Sequence, residues 1–267
     1  VSDPLMQARA RIIAVSNQKG GVGKTTTTIN LAAALVAEGR RVLIVDLDPQ
    51  GNASTGLGLM PEDRELTAYD VLLEDAPIQE AIYATEIDGL YLVPSTVDLS
   101  SADIELMSNE KRSYLLHDAL RSSEAAGQFD FVLIDCPPSL NLLTVNAMVS
   151  ADSVLVPLQS EFFALEGLSQ LMLTIREIRT TANERLRIEG VVLTMFDRRN
   201  NLSQQVEQDA RDNLGDLVFD TIIPRNVRVS EAPSFAMPVL QYDPTSTGAR
   251  AYRDLAVELL AKTNVPA

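Results

Sequence analysis

Between residues 18 and 25 the chain reads Gln-Lys-Gly-Gly-Val-Gly-Lys-Thr, a run whose residue types suit the capture of phosphate. Small glycines let backbone N–H groups close around phosphate oxygens, and a helix starting directly behind adds the positive end of its dipole. Gly20, Gly21, Val22 and Gly23 would form the cradle, with Thr25 and Thr26 closing it. Lys24 would reach the β- and γ-phosphates, and the Thr25 hydroxyl would face Mg²⁺. The ordinary phosphate loop has a glycine five residues before Gly23, where this chain has Gln18. It carries instead a second lysine, Lys19, at the start of the loop.

Three carboxylates stand at matching places. Asp46 and Asp48 follow the apolar run Val42 to Val45, and their i, i+2 spacing puts both side chains on one face if the strand continues. One can hold a metal-bound water while the other positions the attacking water. A free aspartate titrates near 3.9, so the second task is orientation of water more than its deprotonation. Asp135 closes the apolar stretch Phe131 to Ile134 and precedes Pro137-Pro138. That is the pattern of an aspartate that binds Mg²⁺ through its water shell, with prolines that cannot continue the ladder.

The elements that would carry these residues alternate as in βαβ units. The pattern predicts strands at Ile12–Ser16, Val42–Val45, Leu90–Val93, Phe131–Ile134, Val154–Val156, Ile188–Thr194 and Val218–Ile223. It predicts helices at Thr25–Glu38, Leu165–Thr181, Leu202–Asn213 and Thr247–Lys262, and a polar helical stretch over Ser101–Ala125. Strands apolar almost throughout imply a sheet covered on both faces. The fold class is therefore α/β, a single-domain P-loop NTPase over residues 1–267 with a mostly parallel twisted sheet flanked by helices. Residues 1–10 and 264–267 are expected to be flexible tails.

Composition narrows the chemistry. Cys136 is the only cysteine and His117 the only histidine, which excludes an internal disulfide, a tetrahedral zinc site and an iron–sulfur cluster. Cys136 reads as a small buried hydrophobe. No apolar run is long enough to span a bilayer, and the start VSDPLMQARAR lacks a signal-peptide core, so a cytoplasmic location is expected. The formal net charge of −15 argues against a nucleic-acid partner unless a local basic patch supplies the contacts. Arg198, Arg199, Arg225, Arg228 and Arg250 are the candidates. The alternative is that they pair with Asp197, Asp220 or Glu231 on the surface.

The loop KGGVGKTT resembles the deviant Walker A motif of the ParA/MinD group of ATPases. LIVDLDPQGNAST, FVLIDCPPSL, IPRNVRVSEAPSF and QYDPTSTGARAY resemble further signatures of its chromosome-type, Soj-like ParA branch, from about Arg11 to Lys262. The resemblance implies ATP and Mg²⁺ as cofactors and slow, partner-stimulated hydrolysis. It implies an ATP-state homodimer in which Lys19 reaches the partner's phosphates. Asp48 then orients the water, Asp46 supports the magnesium shell, and Pro224 and Asn226 lie at the adenine pocket. Arg199 and Arg228 fall at positions used for sequence-independent binding of double-stranded DNA, while Arg225 could serve either DNA or adenine. A ParB-type centromere-binding partner and a nucleoid location follow from the same resemblance.

No guanine signature of the Asn-Lys-x-Asp type occurs, which favours ATP. Tyr252, Leu255, Ala256, Leu259 and Leu260 form one stripe, expected to pack on the domain itself; no basic apolar tip follows, so no membrane partner is expected. With residues 1–10 alone before the first strand, an added helix-turn-helix is not expected. The alternative reading is a MinD-like or other cargo-positioning ATPase acting on a membrane or a non-chromosomal cargo. A P-loop ligase of small molecules would share the loop but not the arginine pattern.

Overall fold

The computed structural model describes residues 9–121, 126–161 and 164–263. Seven strands, β1 (Arg11–Val15), β2 (Val42–Asp46), β3 (Tyr83–Ala84), β4 (Leu90–Val93), β5 (Phe131–Asp135), β6 (Ser153–Gln159) and β7 (Arg187–Thr194), form one sheet. Its order is β3-β4-β2-β5-β1-β6-β7, with β3 antiparallel to β4 and every other pair parallel. The expected mostly parallel sheet is present, and β3 is an addition the sequence pattern did not reveal. Most of the predicted tails, residues 1–8 and 264–267, lie outside the described residues.

The strands are apolar throughout because successive residues feed two separate cores. Ile12 and Ala14 of β1, Leu43 and Val45 of β2, and Val132 and Ile134 of β5 enter one core. Ile13, Val15, Val42, Ile44, Phe131 and Leu133 enter the other. Alternation of side chains across a strand leaves no polar face when both sides are covered.

The first core is roofed by helices that include α3 (Ala68–Leu73), α5 (Leu115–Arg121), α6 (Leu142–Ser150), α7 (Ala164–Thr181) and α8 (Asn201–Leu214), after the short α2 (Asn52–Gly56) and α4 (Ala102–Glu105). The second is roofed by α1 (Lys24–Ala37) and α11 (Thr247–Thr263), with α9 (Val227–Glu231) and α10 (Val239–Tyr242) between them in the chain. The predicted stripe on α11 is buried at Tyr252, Leu255, Ala256 and Leu259, and half-buried at Leu260.

Two predicted elements differ. The helix expected over Ser101–Ala125 breaks after α4, because the Asn109 side chain accepts from Lys111 N (2.8 Å) and its carbonyl from Arg112 N (3.2 Å), a local turn that competes with helix. Residues 122–125 lie outside the described residues. The strand expected over Val218–Ile223 is an extended edge segment with isolated bridges at Val218 and Pro224. Its ladder is interrupted because Glu258 on α11 takes the Asp220 and Thr221 N–H groups, at 2.8 and 2.9 Å.

Phe219 in this segment is fully buried over Gly190 of β7. A Cβ at Gly190 would lie 2.4 Å from the Phe219 ring and 2.9 Å from the Leu217 carbonyl oxygen. Gly190→Ala should therefore lower unfolding stability by about 1–3 kcal/mol through overpacking. Urea denaturation checks this; an unchanged midpoint would contradict the close packing described.

Candidate nucleotide and metal site

The C-terminal ends of β1, β2 and β5 lie side by side, with Val15, Asp46 and Asp135 in register across the three strands. Ligands of open α/β sheets gather at this edge. The chain leaves β1 into the glycine loop and returns as α1, so the loop sits over the edge. Gly21 (φ 74°) and Gly23 (φ 89°) take backbone angles that other residues adopt only under strain, the kind of conformation from which anion-binding loops are built.

Two side chains outside the glycines, Asn17 and Thr194, fix the loop. Asn17 Nδ2 donates to the Pro157 carbonyl on β6 (2.8 Å), and Asn17 Oδ1 accepts from Lys19 N (3.1 Å). Thr194 at the end of β7 donates to the Val22 carbonyl at 2.8 Å. The cradle is thus braced by β6 and β7, which no local motif announced.

Lys24 is buried, and its Nζ donates to the Lys19 carbonyl across the loop at 3.2 Å. Burial pushes its pKa down, while Asp135, Cys136 and Asp48 push it back up. An ammonium placed this way has its surroundings completed by an anion in the loop.

Asp135 is fully buried and accepts from Thr25 Oγ1 (2.7 Å) and Thr28 Oγ1 (3.2 Å). Asp46, its neighbour across the β2–β5 pair, is also fully buried. It accepts from Ser54 N (3.0 Å), Ser54 Oγ (2.7 Å) and Asp48 N (3.2 Å). Burial, and then the charge of Asp46, raises Asp135 to about 8. Burial raises Asp46 to about 6, against the hydrogen bonds from Ser54 and the Asp48 N–H and with a smaller push from the Asp48 charge. Both shifts follow from carboxylates taken out of water close to one another.

The strand that ends in Asp46 does not continue through Asp48. The ladder ends at Asp46, and Asp48 N turns back onto the Asp46 carboxylate. Asp48 is buried, and its Oδ1 accepts from Gln50 N at 3.0 Å. The Asx turn replaces the extended continuation that the i, i+2 spacing assumed.

The donor set fits Mg²⁺. Thr25, Asp135 and Asp46 offer hard oxygens, and the oxygens of both carboxylates already accept from protein donors, which suits a metal held through its water shell. Among the described residues no group of three or more His, Cys, Asp or Glu forms an all-protein cage. Mg²⁺ is commonly held by one or two carboxylates, waters and substrate phosphates.

Lys19 stands at the mouth of the loop, half-exposed, with its Nζ on the Glu161 carboxylate. Glu161 gave no local signal in the sequence, because it meets Lys19 only through the fold. Beside the loop, Gly23, Thr26, Met195, Pro224, Asn226, Val229 and Tyr252 line a pocket of the size and place for a base. Pro224 and Asn226 were expected there; Met195 and Tyr252 were not.

The arginines fall in two places. Arg198, Arg199, Arg225 and Arg250 line one concave surface with Phe196 and Thr247. Arg225 borders the base pocket as well, which is why its residue type alone left it ambiguous. Arg228 lies apart on α9, paired with Glu231 (2.9 Å) and Asp243 (3.5 Å). Arg199 pairs with Asp197 at 3.1 Å, with its side chain 91% exposed. Exposed pairs of this kind are weak enough for a phosphate to replace the carboxylate. Asp220, another suspected partner, pairs with Arg211.

Comparison with known proteins agrees with this geometry. Residues 10–188 match the AAA domain family. The chain is 59% identical over 252 residues to the chromosome partitioning protein ParA of Caulobacter vibrioides, covering 94% of each. It is 51% identical over 252 residues to the sporulation initiation inhibitor protein Soj of Bacillus subtilis, covering 94% of this chain and 98% of that one. Among solved structures it resembles cobyrinic acid a,c-diamide synthase from Mycobacterium smegmatis with bound ATP analog and magnesium. That similarity has a TM-score of 0.85 and 39% identity over 96% of each chain.

The carboxylate shifts predict a pH dependence. A raised pKa means that the folded chain holds a proton the unfolded chain has lost. Stability without a divalent cation should therefore fall as pH rises from the ordinary aspartate range through about 8. Asp135→Asn should flatten that fall in thermal melts; an equally steep fall in the variant would contradict the assignment.

Proposed function

The chain belongs to the ParA/Soj family of chromosome-partitioning ATPases, and we propose that it is an ATP-gated switch that dimerises, binds DNA and segregates chromosomal origins. The observation that carries this reading is the pair of lysines in one loop. Lys24 is buried beneath the cradle, whereas Lys19 stands at its rim on an exposed carboxylate.

ATP would lie with its triphosphate over Gly20–Thr25, its base against Thr26, Pro224, Asn226 and Tyr252. When bound, Mg²⁺ would supply neutralisation of phosphate charge. Thr25 and Asp135 would hold it, directly or through its water shell, and Asp46 would support that shell. Lys24 stabilises charge on the γ-phosphoryl oxygens. Asp48 orients the attacking water, its carboxylate fixed by the turn onto Gln50 N.

Lys19 has no phosphate of its own to meet at the rim. In a face-to-face pair it would exchange Glu161 for the triphosphate of the other subunit, completing the site in trans. Hydrolysis is then slow in the free chain and sets the lifetime of the dimer. A ParB-type partner would accelerate it, which is the usual way a timing ATPase is coupled to cargo.

The surface of Arg198, Arg199, Arg225 and Arg250, with Arg228 nearby in sequence, would grip phosphates without reading bases. Dimerisation doubles the contacts, so DNA affinity follows ATP and gives a nucleoid location. This patch answers the objection raised by the overall acidity. No helix of the described residues is long and apolar enough to cross a membrane, and the apolar stripe of α11 is already buried on α1. The burial of that stripe favours DNA over a membrane as the surface bound.

Binding to nonspecific duplex DNA with ATP, ADP or no nucleotide, across a range of salt, tests the reading. Retention should require ATP and fall steeply with salt. Lys24→Ala should bind neither nucleotide nor DNA. Arg199→Glu and Arg228→Glu should bind ATP normally and lose DNA at least about ten-fold by removing a phosphate contact and adding repulsion. DNA retention unaffected by nucleotide, or by both charge reversals, would overturn it.

A further inference from the structure

One cation beside the Asp48 segment takes no part in the chemistry described so far. Arg64 lies beyond α2, half-buried, and its guanidinium is forked among backbone and hydroxyl oxygens. Nη1 donates to the Ser95 carbonyl at the end of β4 (2.7 Å). Nη2 donates to Thr55 Oγ1 on α2 (2.8 Å) and to the Leu59 carbonyl (2.8 Å), and Nε donates to Leu59 as well (3.1 Å). Burial lowers its pKa, with the charge of Asp46 acting in the opposite sense.

These acceptors all lie on or beside the segment that bears Asp48. From Asp46 the chain turns through Asp48 and Gly51, enters α2, and ends at Leu59. Its first part is tied to Asp46 by Asp48 N and by Ser54. Ser54 Oγ also accepts from Ser95 N at 3.1 Å, so Ser95 is gripped by Ser54 on one side and Arg64 on the other. Without the guanidinium, Thr55 and the Leu59 carbonyl would lose their hydrogen-bonded link to Ser95, leaving the packing of Ala53 and Leu57 to hold the far half of the segment. Charge-assisted bonds to several acceptors at once are what a planar fork provides and an ammonium does not.

We propose that Arg64 is a positioning residue for hydrolysis: it clamps the Asp48–Leu59 segment to the end of β4 and so sets where Asp48 holds the attacking water. This rests on the water-orienting role given to Asp48. Arg64 does not touch the nucleotide site, so its loss acts on turnover and spares binding. A shift of about 1 Å in a catalytic group can lower a rate about a hundred-fold.

The test is single-turnover hydrolysis of prebound ATP, with ATP affinity measured separately, in Arg64→Ala, Arg64→Lys and Asp48→Ala. Arg64→Lys keeps the buried stem and the charge, which guards against misfolding of the truncated variant. Both Arg64 variants should bind ATP within about two-fold of the unmodified protein and hydrolyse it at least about ten-fold more slowly. Guanidinium at a non-denaturing concentration, against matched NaCl, should restore Arg64→Ala and not Asp48→Ala.

Normal hydrolysis in the Arg64 variants beside a slow Asp48→Ala overturns the clamp alone. So does a loss that tracks ATP affinity, or one that guanidinium fails to restore. Normal hydrolysis by Asp48→Ala overturns the role of Asp48 and the clamp with it.

Discussion

Two carboxylates, Asp46 and Asp135, stand fully buried on adjacent strands at the end of the sheet. Charge in such a place is costly unless it is met by donors, protons or a cation. Ser54, Thr25 and Thr28 supply donors, and burial still pushes both carboxyls above the ordinary aspartate range. The buried ammonium of Lys24 is the nearby counterweight. A site built this way is completed by a phosphate-bound metal, and the arrangement of the glycine loop, of β2 and of β5 follows from that need.

The sheet makes the arrangement possible because its strands are parallel and in register at the ligand edge. Period-two burial into two cores keeps β1, β2 and β5 rigid on both faces. The polar residues at their ends are therefore placed by the packing beneath them. Asn17 and Thr194 then hold the loop to β6 and β7. The candidate base pocket and the arginine surface share Arg225 and Pro224, so the two lie side by side.

Much of this was legible in residue order. The glycine loop, Lys24, Thr25 and Asp135 sit in strand–loop–helix and strand-end patterns whose spacing is local, and the structure gathers them at one edge. Residues that act through long-range contact were not legible. Glu161 meets Lys19 from just beyond β6, Ser54 secures Asp46 from α2, and Tyr252 reaches the candidate base pocket from α11. The strand expected at Val218–Ile223 failed for the same reason: its apolar pattern is that of a strand, but Glu258, far along the chain, takes two of its N–H groups. Asp48 was found by type and spacing, yet its geometry comes from a turn onto Asp46 that spacing could not foretell.

The account turns on Lys19 leaving Glu161 for another subunit's triphosphate. Mixing Lys19→Ala chains with Asp48→Ala chains tests this most directly, because each lacks one half of a composite site. A mixed pair would join the intact Asp48 of one chain to the Lys19 of the other. The account predicts ATP hydrolysis in the mixture that neither variant shows alone; a mixture as inactive as its parts would contradict action in trans.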